Sequence, residues 1–115
     1  PSPATDYIEE DIDLNIHLIK NAPATFIIRV QGKSMSSVGI YDGDLLIVDK
    51  SLKPKNLSTV IANVNDELVV KSFIKKKNLQ FLSSGSKNFD DKIIINLNSD
   101  IFIWGVVTYV IHSTY

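Results

Sequence analysis

The spacing of apolar residues changes once along this chain. Leu14, Leu18 and Ile19 fall on one face of a helical repeat, Asp13 is placed to cap it, and Asn21 then Pro23 stop it. Ile8 and Ile12 keep a four-residue spacing upstream, but Glu9-Glu10-Asp11 offers no clear cap there. After Pro23 the pattern is that of strands. Segments 24–30, 45–49, 59–64, 67–74, 79–82, 93–97 and 102–112 are rich in Ile, Val and Phe and are separated by Gly, Asn, Asp, Ser and Lys. Asn65-Asp66 predicts a tight hairpin turn, and Lys77-Asn78 closes the next. Seven strands at short spacing and one helix predict a mainly β domain of mostly antiparallel sheet. Residues 1–12 read as an N-terminal arm and 13–115 as a single domain, without repeat or linker.

A length of 115 residues and 12.8 kDa suits one domain, and 44% hydrophobic with 22% charged residues excludes wholesale disorder. Twelve Lys+Arg against thirteen Asp+Glu leave a net charge of −1, which argues against a domain that lives by neutralising duplex DNA. The absence of cysteine removes disulfides, thiol nucleophiles and thiolate metal sites. His17 and His112 lie too far apart in sequence to suggest a histidine metal site or a Ser–His–Asp triad, and no cofactor is expected. The most apolar stretch, Ile101–Ile111, is broken by Gly105, Thr108 and Tyr109 and falls short of the roughly 20 residues of a membrane span. No charged-then-apolar leader is read, so no signal peptide is expected. The opening Pro1-Ser2-Pro3-Ala4 fits a trimmed initiator methionine or an arm left by an upstream cut.

Two polar residues stand out. Gly32-Lys33-Ser34-Met35 follows the first strand and leads into Gly39-Ile40-Tyr41-Asp42-Gly43-Asp44. A serine near a glycine at a strand end can expose its Oγ beside backbone N–H groups that would receive an oxyanion. The plainer alternative is a turn serine. Lys71 sits in the middle of segment 67–74, whose two faces carry Val69 and Phe73, and Leu68, Val70 and Ile74, so the strand reads as buried on both sides. Burial there would lower the lysine pKa and supply a neutral amine; a lysine that snorkels to water is the alternative. Together the two residues make a Ser–Lys dyad, which needs no histidine.

The run Gly-x-Ser-Met, then Gly-Ile-x-Asp-Gly-Asp-Leu-Leu-Ile-Val-Asp, then Val-Lys in a later strand, resembles the LexA-like self-cleaving Ser–Lys peptidases. The opening Pro1-Ser2-Pro3-Ala4-x-Asp6-Tyr7, Ile12-Asp13-Leu14-Asn15 and the ending Gly105-Val106-Val107 resemble its SOS-mutagenesis members more than the repressors. The resemblance implies a β-rich LexA-type, signal-peptidase-like fold. It makes Ser34 the nucleophile, Lys71 the general base, and the Ser34 and Met35 backbone amides the oxyanion donors. Asp42-Gly43-Asp44 would be scaffold. It also implies a bacterial, cytoplasmic homodimer that serves the catalytic subunit of an error-prone translesion DNA polymerase. A recombinase–single-stranded DNA filament would stimulate self-cleavage, with no membrane and no direct sequence-specific DNA binding. The family cuts its own N-terminal arm at a small-residue–Gly or Cys–Gly bond; none lies in this arm, so the chain is expected to be a processed product. Lys33 stands where relatives often carry an acid, and Ser83-Ser84-Gly85-Ser86-Lys87-Asn88 lacks their Pro-x-Asn.

Two other readings stay open: the C-terminal autoproteolytic dimerisation domain of a LexA- or phage-type repressor, and a non-catalytic binding module with a vestigial dyad. Lys75-Lys76-Lys77 reads as a solvated hairpin tip more than as a nucleic-acid contact. Phe102, Trp104 and Tyr109 are expected in the core or at a subunit interface.

Overall fold

The structure, a computed structural model, describes residues 3–32, 35–85, 91–95 and 100–115. A short helix α1 (Leu14–Leu18) precedes strands β1 (Thr25–Arg29), β2 (Leu45–Asp49), β3 (Thr59–Val64), β4 (Glu67–Lys76), β5 (Leu79–Ser83), β6 (Ile93–Ile94) and β7 (Ile101–Ile111). All seven join one sheet in the order β1-β2-β7-β3-β4-β5-β6, and every pairing is antiparallel. The mainly β expectation therefore holds.

Local chemistry accounts for the elements. The Asp13 carboxylate accepts the Asn15 and Ile16 N–H groups and so satisfies donors that the first helical turn leaves free. The helix ends at Leu18, earlier than Asn21, and Pro23 instead opens a 3-10 turn over Ala22–Ala24. Leu14 is exposed, so the expected apolar face is only its Leu18 and Ile19 end. Asn65 and Asp66 both take positive φ, 51° and 70°, the twist that a two-residue hairpin demands.

Register shifts on both sides of β7, at Ile47/Val48 of β2 and Ile61/Ala62 of β3, curl the sheet so that it has two cores. Val30, Met35, Ile40, Leu46, Val48 and Ile61 form the first. Val60, Ala62, Phe73, Leu82 and Val106 form the second. Neighbouring residues of β3 thus point into different cores, as period-two alternation requires. Trp104 packs against the first core, with Phe26 at 5.2 Å between ring centroids and the Lys50 ammonium 4.4 Å from its own. Lys75, Lys76 and Lys77 are exposed around the β4–β5 turn.

One expectation about β4 needs correction. It is buried on both sides only at Ser72, Phe73 and Ile74; Leu68 is 53% exposed and Lys71 is half-buried. The reason is position. The first half of β4 borders an open cavity, while its second half is covered by the second core.

Candidate active site

Ser34 lies outside the described residues, so the site is built from the segments around it. Upstream, β1 leaves the sheet through a clamp. The Val30 N–H donates to the Asp44 carbonyl at 2.8 Å, the Gly43 N–H returns to the Val30 carbonyl at 2.9 Å, and the Arg29 guanidinium donates to the Gly43 carbonyl at 2.8 Å. The Asp42 carboxylate accepts the Gly32 N–H at 2.9 Å. Gly43 turns with φ +89°, a conformation that a side chain would strain. Downstream, Met35 is 2% exposed in the first core, and its carbonyl accepts N–H groups from Val38 and Ile40. Asp42-Gly43-Asp44 thus braces the exit of β1 through its hydrogen bonds.

Asp44 is itself buried. Its carboxylate accepts the Tyr41 N–H at 2.9 Å and meets His112 Nδ1 at 2.6 Å, while the Tyr41 ring lies 5.4 Å from the imidazole. The Tyr41 N–H first, and then His112, hold its carboxyl below the usual carboxylate range. His112 thereby ties the end of β7 to the turn that clamps β1. A group whose folded pKa is depressed contributes stability above its unfolded pKa and loses it as pH falls through the folded one. Urea denaturation should therefore show Asp44→Asn clearly less stable than the parent at pH 6. The gap should narrow well below pH 4, about the ordinary Asp value. An equal gap at both pH values would refute this.

Lys71 pairs with Val60 across the β3–β4 ladder, and its Nζ donates to Ser84 Oγ at 2.6 Å. The Ser84 N–H donates to Asp91 Oδ2 at 3.0 Å, and the Ser84 carbonyl accepts the Ser37 hydroxyl at 3.4 Å. Hydrogen bonding from the Ser84 hydroxyl is the main cause of an Asp91 pKa below the ordinary range, with the Lys71 charge adding to it. The turn is tight: at Gly85, φ +86°, a Cβ would lie 2.6 Å from Ser37 Oγ. The segment that follows Met35 is thus pressed onto the turn that carries the lysine's partner. Ser84 and Asp91 were not singled out from sequence. The signal available was the hydroxyl pair Ser83-Ser84 before a glycine, in a stretch that departs from the family pattern.

A cavity of about 330 Å³ opens between the exit of β1 and the start of β4, lined by Ile28, Val30, Met35, Ile61, Leu68, Val69 and Val70 with Arg29 and Gln31. Met35 follows Ser34 in the chain, and Val70 precedes Lys71. The cavity's size and mostly apolar lining suit a short run of small side chains in extended backbone. No described helix is long and apolar enough to cross a membrane.

A curled antiparallel sheet with a half-buried lysine in β4 and an apolar cleft at the exit of β1 defines a class, and comparison with known proteins gives its name. Residues 1–108 match the family described as Peptidase S24-like. The chain is 41% identical over 114 residues to Protein ImpA of Salmonella typhimurium, covering 99% of this chain and 77% of that protein. It is 36% identical over 109 residues to Protein MucA of Escherichia coli, covering 95% and 74%. To the LexA repressor of Shewanella denitrificans it is 38% identical over 89 residues, covering 77% of this chain but 43% of the repressor. The chain belongs to the peptidase S24-like family, as a UmuD-like SOS mutagenesis protein.

Proposed function

We propose that this protein is a self-cleaving serine peptidase with a Ser34–Lys71 dyad, and that its processed form is an accessory subunit of an error-prone translesion polymerase. What supports the peptidase reading is the match of residues 1–108 to the Peptidase S24-like family, together with an apolar cavity walled by Met35, the residue after Ser34. A peptide lying in that cavity would present its scissile carbonyl to Ser34. Ser34 Oγ attacks the carbonyl carbon as the neutral Lys71 amine takes its proton. The Ser34 and Met35 N–H groups receive the oxyanion. Collapse breaks the C–N bond, the Lys71 ammonium returns its proton to the leaving amine, and an ester to Ser34 remains. Water, deprotonated by the regenerated amine, then hydrolyses the ester. The experiment is to place an N-terminal extension with a small-residue–Gly bond ahead of Pro1 and follow its loss on a gel. Cleavage that persists in Ser34→Ala would refute the dyad.

The partners follow from the family and from the surface of β7. Tyr109, Val110 and Ile111 are all more than a third exposed although β7 is central in the sheet, and Phe102 is 47% exposed at its other end. A central strand with an apolar exposed end is suited to being covered by a second copy. A homodimer in the bacterial cytoplasm is proposed, which docks on the polymerase catalytic subunit and on the recombinase–single-stranded DNA filament that stimulates cleavage. Light scattering should give a dimer at tens of micromolar, and Val110→Glu should shift it toward monomer. A monomeric parent would refute the dimer, and a dimeric Val110→Glu would remove this end of β7 from the interface.

A further inference from the structure

We propose that a second cavity, between α1 and the outer face of β1, β2 and β7, is a socket for one arginine side chain of a partner protein. It does not depend on the peptidase reading.

The cavity holds about 270 Å³, and its apolar walls are Leu18 of α1, Leu52 beyond β2 and the Tyr109 ring. Its polar wall is built by strand register. Thr25 and Asp49 are direct partners across the β1–β2 ladder, so their side chains share a face. Ile47 pairs with Tyr109 and Val48 with Val107, which leaves Thr108 as the extra residue of a bulge. A bulge re-aims a side chain, and here the consecutive residues Thr108 and Tyr109 line one cavity, which regular alternation would forbid.

The side-chain oxygens of that wall are free only to accept. The Thr25 hydroxyl gives its proton to the Asn21 carbonyl at 2.6 Å, and the Thr108 hydroxyl gives its own to the Ile47 carbonyl at 3.3 Å. Asp49 is 6% exposed, and its Oδ1 accepts both the Ser51 N–H at 2.8 Å and the Ser51 hydroxyl at 2.6 Å. Its Oδ2 has no hydrogen bond among the described residues. No buried side-chain oxygen or nitrogen there lacks a partner, so Oδ2 is open to the cavity and not sealed away. A largely buried carboxylate beside spare hydroxyl lone pairs calls for a cation that only donates.

A guanidinium meets that demand. It offers five donors in a fixed fork, a flat face for the Tyr109 ring, and an aliphatic stem for Leu18 and Leu52. A divalent metal ion would want about six or more oxygens, and no described cluster of three His, Asp or Glu side chains exists. The volume falls below the roughly 300–1,000 Å³ of whole small-molecule sites, which suits a single side chain. Lys20 at the rim is exposed and does not answer the Asp49 charge, since the described ion pair is His112 with Asp44. Arg29 is the only arginine of this chain, and it already donates to the Gly43 carbonyl at 2.8 Å. The occupant is therefore a different protein and not a second copy. Tyr109 places the socket at the rim of the β7 surface assigned above to the dimer, so the parent protein is tested in its own oligomeric state.

The test titrates ¹⁵N-labelled parent protein with N-acetylarginine amide near neutral pH and follows amide shifts by NMR. Saturable shifts are expected at Thr25, Asp49, Thr108 and Tyr109, with a millimolar dissociation constant for this one side chain. N-acetylcitrulline amide, alike in shape but uncharged, should bind at least about tenfold more weakly, because a charged hydrogen bond is lost. Asp49→Asn keeps an oxygen for Ser51 and should weaken the arginine probe by about the same factor. Thr108→Val keeps the shape without the acceptor and should weaken it a few-fold. Absence of saturable shifts up to tens of millimolar would overturn the socket. So would equal binding of the citrulline probe, a comparison that needs no variant to fold, or unchanged binding by Asp49→Asn. Tighter binding of N-acetyllysine amide would overturn the assignment to arginine, and tighter binding of putrescine would replace the protein side chain by a free polyamine.

Discussion

Lys71→Ala should slow cleavage of the N-terminal extension by about 10²–10⁴-fold, the range a positioned general base contributes. Ser34→Ala should abolish the acyl-ester route altogether, and the double variant should be no slower than the worse single one. Residues that act as one unit lose their effect together and not in sum. Neither substitution should unfold the protein. Lys71 is only half-buried, so truncation there leaves no sealed void. Circular dichroism and urea denaturation serve as controls for the cleavage assay. A Lys71→Ala protein that cleaves near the parental rate would place the base elsewhere.

Gly105→Ala should destabilise the fold by about 1–3 kcal/mol, the usual cost of forcing extra volume into a packed interior. Backbone entropy argues the other way, since alanine at a compatible backbone position stabilises by about 0.4–1 kcal/mol. The collision decides the sign. A Cβ at residue 105 would lie 2.6 Å from Val48 Cγ1 and 3.6 Å from the Asp49 carbonyl oxygen, and Val48 is fully buried in the first core. Val48 cannot swing aside without displacing Leu46 and Ile61, with which it shares that core. Urea denaturation reads the difference, and a variant as stable as the parent would mean that the sheet opens at the register shift beside Val48 without cost.

These expectations separate by the kind of information behind them. The positions of the strands were legible because period-two and β-branched runs are local properties, and β2 and β3 fall on the segments read from sequence, 45–49 and 59–64, whereas β6 stops at Ile94 inside the expected 93–97. The Asp13 cap and the Asn65-Asp66 hairpin were legible for the same reason: each is decided by a side chain or backbone conformation within two or three residues. Of the site, sequence singled out Ser34, Met35 and Lys71 by motif; it could not say how Lys71 is surrounded. An apolar segment reads as buried on both faces, yet whether a cavity borders one half of it depends on how the sheet curls.

Long-range pairings decided the rest. The strand order places β7, last in sequence, between β2 and β3, and only that placement brings Gly105 against Val48 and His112 against Asp44, 68 residues earlier. Ser84 meets Lys71 because β5 returns alongside β4, and meets Ser37 because the turn after β5 folds onto the segment beyond Met35. A hydroxyl in a serine- and glycine-rich turn looks alike in sequence whether it faces water or an ammonium group. What distinguishes them is the geometry of chain segments that no local pattern encodes, since hydrogen bonds form between groups close in space and not in sequence.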